Sequence, residues 1–179
     1  MGTQTFASMD ALSAVTSGLT ATQASGCIAS NNSDGTATLT FPDSLASAIS
    51  GTSTLQSGLK GYANAKQSAI MNGGISVTVA SGVSVECSTT PAAIGLLQGA
   101  ATIAASSPST TFNWVPSTGT PITLTAAQIT AMFTGVSAFI QSTFTTLAGV
   151  INAINAGTIT TKAQVDTPPS PIPAWPVNS

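Results

Sequence analysis

The longest amphipathic segment of the chain covers residues 124–157, where apolar residues recur every three or four positions. Thr125 and Gln128 have the spacing of a capping box, in which each side chain bonds to the other residue's backbone N–H, so a helix is predicted to begin there. Gly157 is expected to end it. The spacing places an apolar stripe on one face, which we interpret as a core or an interface: Ile129, Phe133, Val136, Ile140, Phe144, Leu147, Val150 and Ile154.

Alternating apolar and polar residues predict several short strands. Residues 75–79 and 83–87 alternate on either side of a Ser-Gly turn and predict a hairpin, which follows a helix end at Asn72-Gly73-Gly74. Other strands are predicted at 36–42, 111–115 and 121–124, and other helices at 5–19, over the region before Gly73, after Thr90 as N-cap, and as one turn after Thr160 or Thr161.

These elements predict an α+β fold in which the 75–79, 83–87, 111–115 and 121–124 segments form one small antiparallel sheet, covered by the long C-terminal helix. Residues 1–55 are expected to be an irregular N-terminal arm or attachment segment, and residues 56–166 the domain. Residues 167–179 are rich in proline and predict an extended tail. Trp175 in that tail is a candidate anchor, unless it packs on its own domain.

Charge changes the picture more than hydropathy does. Charged residues make up only 4 % of the chain, the net charge is −2, and none of the 75 residues between Glu86 and Lys162 is charged. An ordinary soluble domain carries about 25 % charged residues. The surface is therefore expected to consist of hydroxyl and amide groups, and weakly charged proteins tend to associate. We expect a homo-oligomer or a stable complex with another protein.

The same counts exclude several classes of partner. With three Lys, no Arg and no His, the chain offers no basic patch for nucleic acid or anionic lipid. A polar residue falls every two to four positions along the long helix, so we expect no membrane insertion, since a span needs about 20 predominantly apolar residues. The N-terminal residues lack the charged and apolar regions of a secretory signal, so synthesis in a cytoplasm is expected.

Few side chains are suited to catalysis. The chain has no His, and its carboxylates, Asp10, Asp34, Asp43, Glu86 and Asp166, are scattered singly, so we expect no enzyme, no metal and no cofactor. Cys27 and Cys87 lack metal-ligand spacing. They are interpreted as two buried thiols, as a bridge formed in an oxidising exterior, or as a reactive nucleophile with no cationic neighbour.

Five segments carry a resemblance: Y-A-N-A-K-Q-S-A-I-M-N-G-G-I-S-V at 62–77, T-T-P-A-A-I-G-L-L-Q-G-A at 89–100, F-N-W at 112–114, I-T-L-T-A-A-Q-I at 122–129, and I-N-A-G-T-I-T-T-K-A-Q-V-D at 154–166. In this order they resemble a domain of unknown function found in tail proteins of bacteriophages and prophages, over about residues 55–166. Members of that family commonly have Arg and Glu near the helix before Gly-Gly, where this chain has Gln67, Ser68, Ala69 and Met71.

The resemblance implies a location more than a mechanism. It implies a structural virion component of a tail, in the fibre or associated with the baseplate, that packs against other phage tail proteins, with a trimer favoured because tail fibres are usually trimeric. Two alternatives stay open: an assembly chaperone for the tail fibre that is absent from the particle, and a subunit of a bacterial surface appendage.

The stripe suggests a comparison of two substitutions. Ile140 lies near its middle, and an aspartate there is expected to disrupt a dry contact. Thr143 already places a hydroxyl on the same face, so we expect an aspartate at position 143 to be tolerated better than one at position 140.

Overall fold

The computed structural model of the protein describes residues 1–6, 8–16, 19, 21–116 and 119–178, without the side chains of Asp10 and Ala14. The chain forms two compact units. The first comprises Met1–Asn64 and Leu147–Ala174, and the second Ala65–Thr146 and Trp175–Ser179. The fold is a mixture of helices and small antiparallel sheets with a long C-terminal helix, as predicted.

The helices and strands follow one another along the chain in this order: β1 (Gly2–Phe6), α1 (Met9–Thr16), α2 (Ala21–Ala24), β2 (Ile28–Asn31), β3 (Ala37–Phe41), a 3-10 turn (Asp43–Leu45), α3 (Ala46–Asn72), β4 (Ile75–Ala80), β5 (Val83–Cys87), α4 (Pro91–Ser106), β6 (Thr111–Trp114), β7 (Ile122–Thr125), α5 (Ala126–Asn155) and α6 (Lys162–Asp166). The two long helices, α3 and α5, each supply residues to both units.

The first unit begins with a three-stranded antiparallel sheet in the order β1-β3-β2. Its central strand alternates as predicted, because the side chains of Ala37, Leu39 and Phe41 are buried while Thr38 and Thr40 are half-buried. A separate hydrophobic cluster forms here, with these buried members: Phe6, Leu12, Val15, Ala37, Leu39, Phe41, Leu45 and Ile49. Residues 1–55 are thus folded around their own core, and the expectation of an irregular arm is wrong for the described residues.

The predicted helix at 5–19 is only partly correct. The structure has a helix over Met9–Thr16, but Thr5 and Phe6 belong to β1, where Phe6 pairs with Ala37 of β3. Residues 7, 17 and 18 of that prediction lie outside the described part of the chain. Phe6 adopts a strand conformation because it pairs with β3. Such tertiary contacts override a local sequence pattern that favours a helix.

The second unit contains two hairpins. Strands β4 and β5 pair in antiparallel with Ile75 opposite Cys87, and β6 pairs with β7 with Phe112 opposite Leu124. All four strands were predicted. The prediction that they form a single sheet was wrong, since the structure places them in two separate two-stranded sheets. The hydrophobic core of the unit has these buried members: Ile75, Val77, Val85, Cys87, Leu97, Ala104, Leu124, Ala126, Ile129, Met132 and Val136.

The predicted helix ends are confirmed. At the start of α5 the Thr125 N–H donates to Gln128 Oε1 (2.8 Å), and the Gln128 N–H donates to Thr125 Oγ1 (3.3 Å). Thr90 caps α4 with Pro91 in its first turn, and Thr161 caps α6. Helix α3 ends at Asn72, and Gly74 follows with a φ of +79°, a conformation that side chains other than glycine adopt rarely.

A buried polar contact joins α3 and α5 inside the second unit. Gln67 Nε2 donates to Thr143 Oγ1 (3.1 Å), and Thr143 Oγ1 donates to the Ile140 carbonyl (2.8 Å). Thr143 is 0 % exposed and Gln67 6 %, whereas Ile140 is only half-buried. Thr143 is therefore the more buried of the two, so the structure favours the opposite order, with an aspartate tolerated less well at position 143 than at position 140.

The tail after α6 is packed against the chain. In the first unit, a Cβ added to Gly149 of α5 would lie 2.9 Å from the Ile172 side chain. In the second unit Trp175 is buried, and Asn178 Nδ2 donates to the carbonyls of Ile70 and Gly74 (2.8 Å each). Ile70 lies in the last turn of α3, where its carbonyl also accepts from the Gly73 N–H (3.1 Å), and Gly74 lies two residues beyond the end of the helix.

Substitution of Thr143 by Val should lower the free energy of unfolding by about 1–3 kcal/mol, because the buried Gln67 amide loses its oxygen acceptor. Adding Gln67→Met should restore most of the loss, since replacing both partners by apolar groups of similar shape is nearly neutral. Urea denaturation of the two single variants and the double variant measures the coupling. Additive losses would show that the hydrogen bond does not join these side chains.

A second set of single and double variants tests the contact between the C-terminal tail and the end of α3. Asn178→Ala should destabilise the protein by about 1 kcal/mol, because two exposed hydrogen bonds to the α3 end are lost. Gly73→Ala should cost a similar amount, since its Cβ would overlap the Asn178 amide. With Asn178→Ala already present, Gly73→Ala should no longer destabilise. Thermal denaturation of the three variants is the measurement, and equal effects of Gly73→Ala in both backgrounds would contradict the contact.

Candidate functional site

The predicted stripe on α5 divides into buried and partly exposed positions. Ile129, Val136, Val150 and Ile154 are buried, whereas Phe133, Ile140 and Leu147 are half-buried. Phe144 is 47 % exposed. Met132, Thr143 and Thr146 are also fully or almost fully buried, so the buried face is rotated from the predicted stripe towards these three residues.

The rotation has a physical reason. The predicted stripe was centred on the largest apolar side chains, whereas the structure buries Thr143 most deeply, because its hydroxyl is paired with Gln67 and with its own helix. Buried polar groups are tolerated when they are hydrogen-bonded. The spacing in the sequence already placed Thr143 on the same face as Ile140, but it did not show which of the two is the more deeply buried.

Helix α5 is long and apolar enough to cross a membrane by length and composition alone, and 28 % of its most apolar window is buried within the protein. Many of its exposed positions carry hydroxyl or amide side chains, among them Thr130, Thr134, Ser137, Gln141, Thr145 and Asn152. A helix against lipid presents apolar residues on all sides. The absence of membrane insertion stays a prediction that this distribution favours.

Hydroxyl groups on the helices bond to their own backbone. Thr130, Thr134 and Thr145 of α5 donate to the carbonyls four residues earlier at 2.9–3.0 Å. The same contact occurs at Thr52 and Thr54 of α3 and at Thr102 of α4. A hydroxyl whose proton is already bonded loses less when it leaves water. This surface is thus polar, uncharged and inexpensive to bury.

Helix α4 presents an apolar face to solvent, which the sequence reasoning missed. Leu97 and Ala104 are buried, but Leu96 is 74 % exposed and Ile103 53 %. With the exposed Ala92 and Gly99 these residues form a continuous line, called here the α4 seam: Ala92, Leu96, Gly99 and Ile103. The seam has the 4-3-4 spacing of a coiled coil, a signal that was present in the sequence.

A groove lies beside Leu96. Its volume is about 290 Å³, and its lining combines the apolar Ala93, Leu96, Trp114 and Val115 with the polar Glu86 and Ser88. Val115 is 69 % exposed. Trp114 Nε1 is buried and has no acceptor among the described residues.

A second cavity lies in the first unit beside Lys162. The cavity measures about 380 Å³ and is lined by Leu55, Leu59, Lys162 and small polar residues. The Lys162 ammonium lies 5.1 Å from the centre of the Tyr62 ring, and the Tyr62 hydroxyl donates to Asp166 at 3.0 Å. These contacts join α6 to α3, which is a structural role.

The two cysteines are both free thiols. Cys27 is half-buried and packs against the core of the first unit, while Cys87 is buried in the core of the second. Burial, and secondarily the negative charge of Glu86, raises the pKa of Cys87 to about 11. Among the described residues, no group of three or more His, Cys, Asp or Glu side chains comes together as metal ligands would.

The two thiols should differ in reactivity. At pH 8 about one Cys87 thiol in a thousand is ionised, and only the thiolate reacts with iodoacetamide. We expect the native protein to be alkylated at Cys27 while Cys87 reacts only after unfolding or as the pH approaches 11. Peptide mass spectrometry after timed alkylation reads both sites, with Cys27→Ser as the control. Equal rates at the two cysteines in native protein would contradict the burial of Cys87.

Comparison with known proteins gives one match. The family model described as a domain of unknown function (DUF4376) matches residues 54–168. No curated protein and no solved structure matches the chain. The matched region contains the two hairpins, the α4 seam and the whole of α5, and it leaves β1 to β3 outside. Because the match covers more than half of the sequence, the chain belongs to the DUF4376 family.

Proposed function

We propose that the protein is a structural component of a bacteriophage tail, in the fibre or associated with the baseplate, and that it acts by packing against copies of itself and against other tail proteins. The location comes from the resemblance of residues 55–166 to tail proteins of phages and prophages. On this proposal the protein works in the virion, as a homo-oligomer for which three-fold symmetry is favoured, and it binds no nucleic acid.

The surface of the second unit is the observation that carries the proposal. No charged residue occurs between Glu86 and Lys162, and several exposed hydroxyls in that stretch donate to their own helix. Burying a charged surface requires each charge to find a partner, and burying unbonded hydroxyls requires new hydrogen bonds. Both costs are reduced here, since the stretch has no charge and several of its hydroxyls are already bonded. Such a surface is suited to permanent contact with other subunits.

Catalysis has no comparable support. The protein contains no histidine, and the described carboxylates that have resolved contacts are engaged structurally: Asp34 with Thr36, Asp43 with the N-terminal ammonium, and Asp166 with Tyr62. General acid–base catalysis needs a group free to exchange a proton with a substrate. A role in packing therefore fits the side chains better than an enzymatic role.

Mass spectrometry of purified particles tests the proposal. Particles of the phage or induced prophage that encodes the protein are banded on a density gradient, and we expect the protein at a fixed ratio to known tail subunits. Presence in the lysate together with absence from the particles would identify an assembly chaperone instead. Recovery from the envelope of cells that make no particles would indicate a surface-appendage subunit.

A further inference from the structure

The α4 seam is an exposed apolar surface without an explanation inside its own chain. Leu96 and Ile103 are seven positions apart in α4 and therefore lie on the same face of the helix. Both side chains are more than half exposed. Isolated exposed apolar side chains are common on soluble proteins, but a continuous line at coiled-coil spacing is typical of a helix that packs against another helix.

The two glycines of α4, Gly95 and Gly99, also have no explanation within their own chain. A Cβ added to Gly95 or Gly99 would meet no atom within 4 Å, so neither glycine is needed to make room for a neighbour in the chain. Both have ordinary helical conformations, since neither is among the residues with positive φ. Glycine weakens a helix relative to alanine. A close approach by a second helix would give these residues a role.

The groove beside Leu96 has room for a side chain from outside. Its volume of about 290 Å³ exceeds the cavity of about 150 Å³ that accommodates benzene in an engineered protein core. One of its lining residues, Trp114, has a buried indole N–H without an acceptor among the described residues. The Nε1 atom is already inaccessible to solvent within one copy, so the open volume of the groove, and not this N–H, is what a side chain from outside would occupy.

We propose that the occupant of the α4 seam is the α4 seam of a second copy of this protein. Helix α4 carries both parts of such a contact, the projecting Leu96 and Ile103 of the seam and the open positions at Gly99 of the seam and at Gly95 beside it, so two copies are complementary to each other. In the symmetric contact each Leu96 lies against the glycines or the groove of the other copy. This assignment rests on the self-association in the proposed function, and because the same surface meets itself it gives two-fold symmetry in place of the three-fold symmetry favoured there.

Charge favours a second copy over other occupants. Helix α4 has no charged residue, so two copies do not repel each other, and a highly charged partner would find no counter-ion on the seam. Helices that lie on a membrane surface typically carry Lys or Arg on their polar face, and α4 has none. Glu86 is the only ionisable residue of the groove, and it lies outside α4.

Sedimentation velocity of the whole protein, under reducing conditions and over a range of micromolar concentrations, tests the seam. We expect the wild type to self-associate and Leu96→Glu to be monomeric, with an unchanged circular dichroism spectrum because Leu96 is exposed. The matched control is Gln98→Glu, which introduces the same charge at an exposed position of α4 outside the seam, and it should associate like the wild type. Association of Leu96→Glu at the wild-type concentration would overturn the proposal.

Gly99→Gln is a second variant, and it should change helix stability and self-association in opposite directions. It should raise the melting temperature of the monomer, because glutamine favours a helix more than glycine does, and weaken association at least tenfold, because it fills the open position. A higher melting temperature with unchanged association would show that Gly99 is not in the contact.

The remaining outcomes separate this inference from the proposed function. A wild type that stays monomeric overturns the seam contact, while detection of the same protein in purified particles would leave the tail assignment standing. Flotation of a monomeric wild type with vesicles of phosphatidylcholine and phosphatidylglycerol would likewise overturn it, in favour of a lipid surface. Association that is lost in Leu96→Glu and kept in Gln98→Glu supports the seam whether or not the particles contain the protein.

Discussion

Polar groups on the helices of this protein have to be satisfied without the help of charge, and the backbone supplies much of what they need. Threonine hydroxyls along α3, α4 and α5 donate to the carbonyl one turn earlier. The same bonding explains the interior, where Thr143 donates to its own helix and accepts from Gln67. A threonine can therefore occupy either the surface or the core of α5, and the boundary between the two is set by geometry more than by residue type.

Local rules in the sequence accounted for the ends of the elements. The capping residues Thr90, Thr125 and Thr161 and the glycine after α3 act through atoms only a few positions apart, so a short window of sequence contains the whole interaction. The hairpins were predictable for the same reason. The pairing of the hairpins was not, because alternation indicates which face of a strand is buried but does not identify its neighbours.

Two other differences between prediction and structure come from contacts between residues that are far apart in the sequence. Phe6 is a strand residue because β3 lies beside it, and Thr143 is a core residue because Gln67 reaches it from another helix. The α4 seam shows that a pattern visible in the sequence does not by itself tell which face of a helix is covered. The spacing of Leu96, Gly99 and Ile103 was visible, yet only the structure shows that Leu97 and Ala104 already bury the other face of α4, which leaves the seam uncovered.

The interrupted sequence of the first unit has a consequence for how the protein folds. Tyr62 and Asp166 are 104 residues apart in the chain, and Gln56 and the Ile154 carbonyl that it contacts are 98 apart. Closing so long a loop in an unfolded chain costs conformational entropy that grows with the logarithm of its length. The hairpins β4–β5 and β6–β7 close over a few residues and can form early. Once they have folded, the intervening chain is compact and the ends of the loop are closer, so damage to a hairpin should also slow the closure of the first unit.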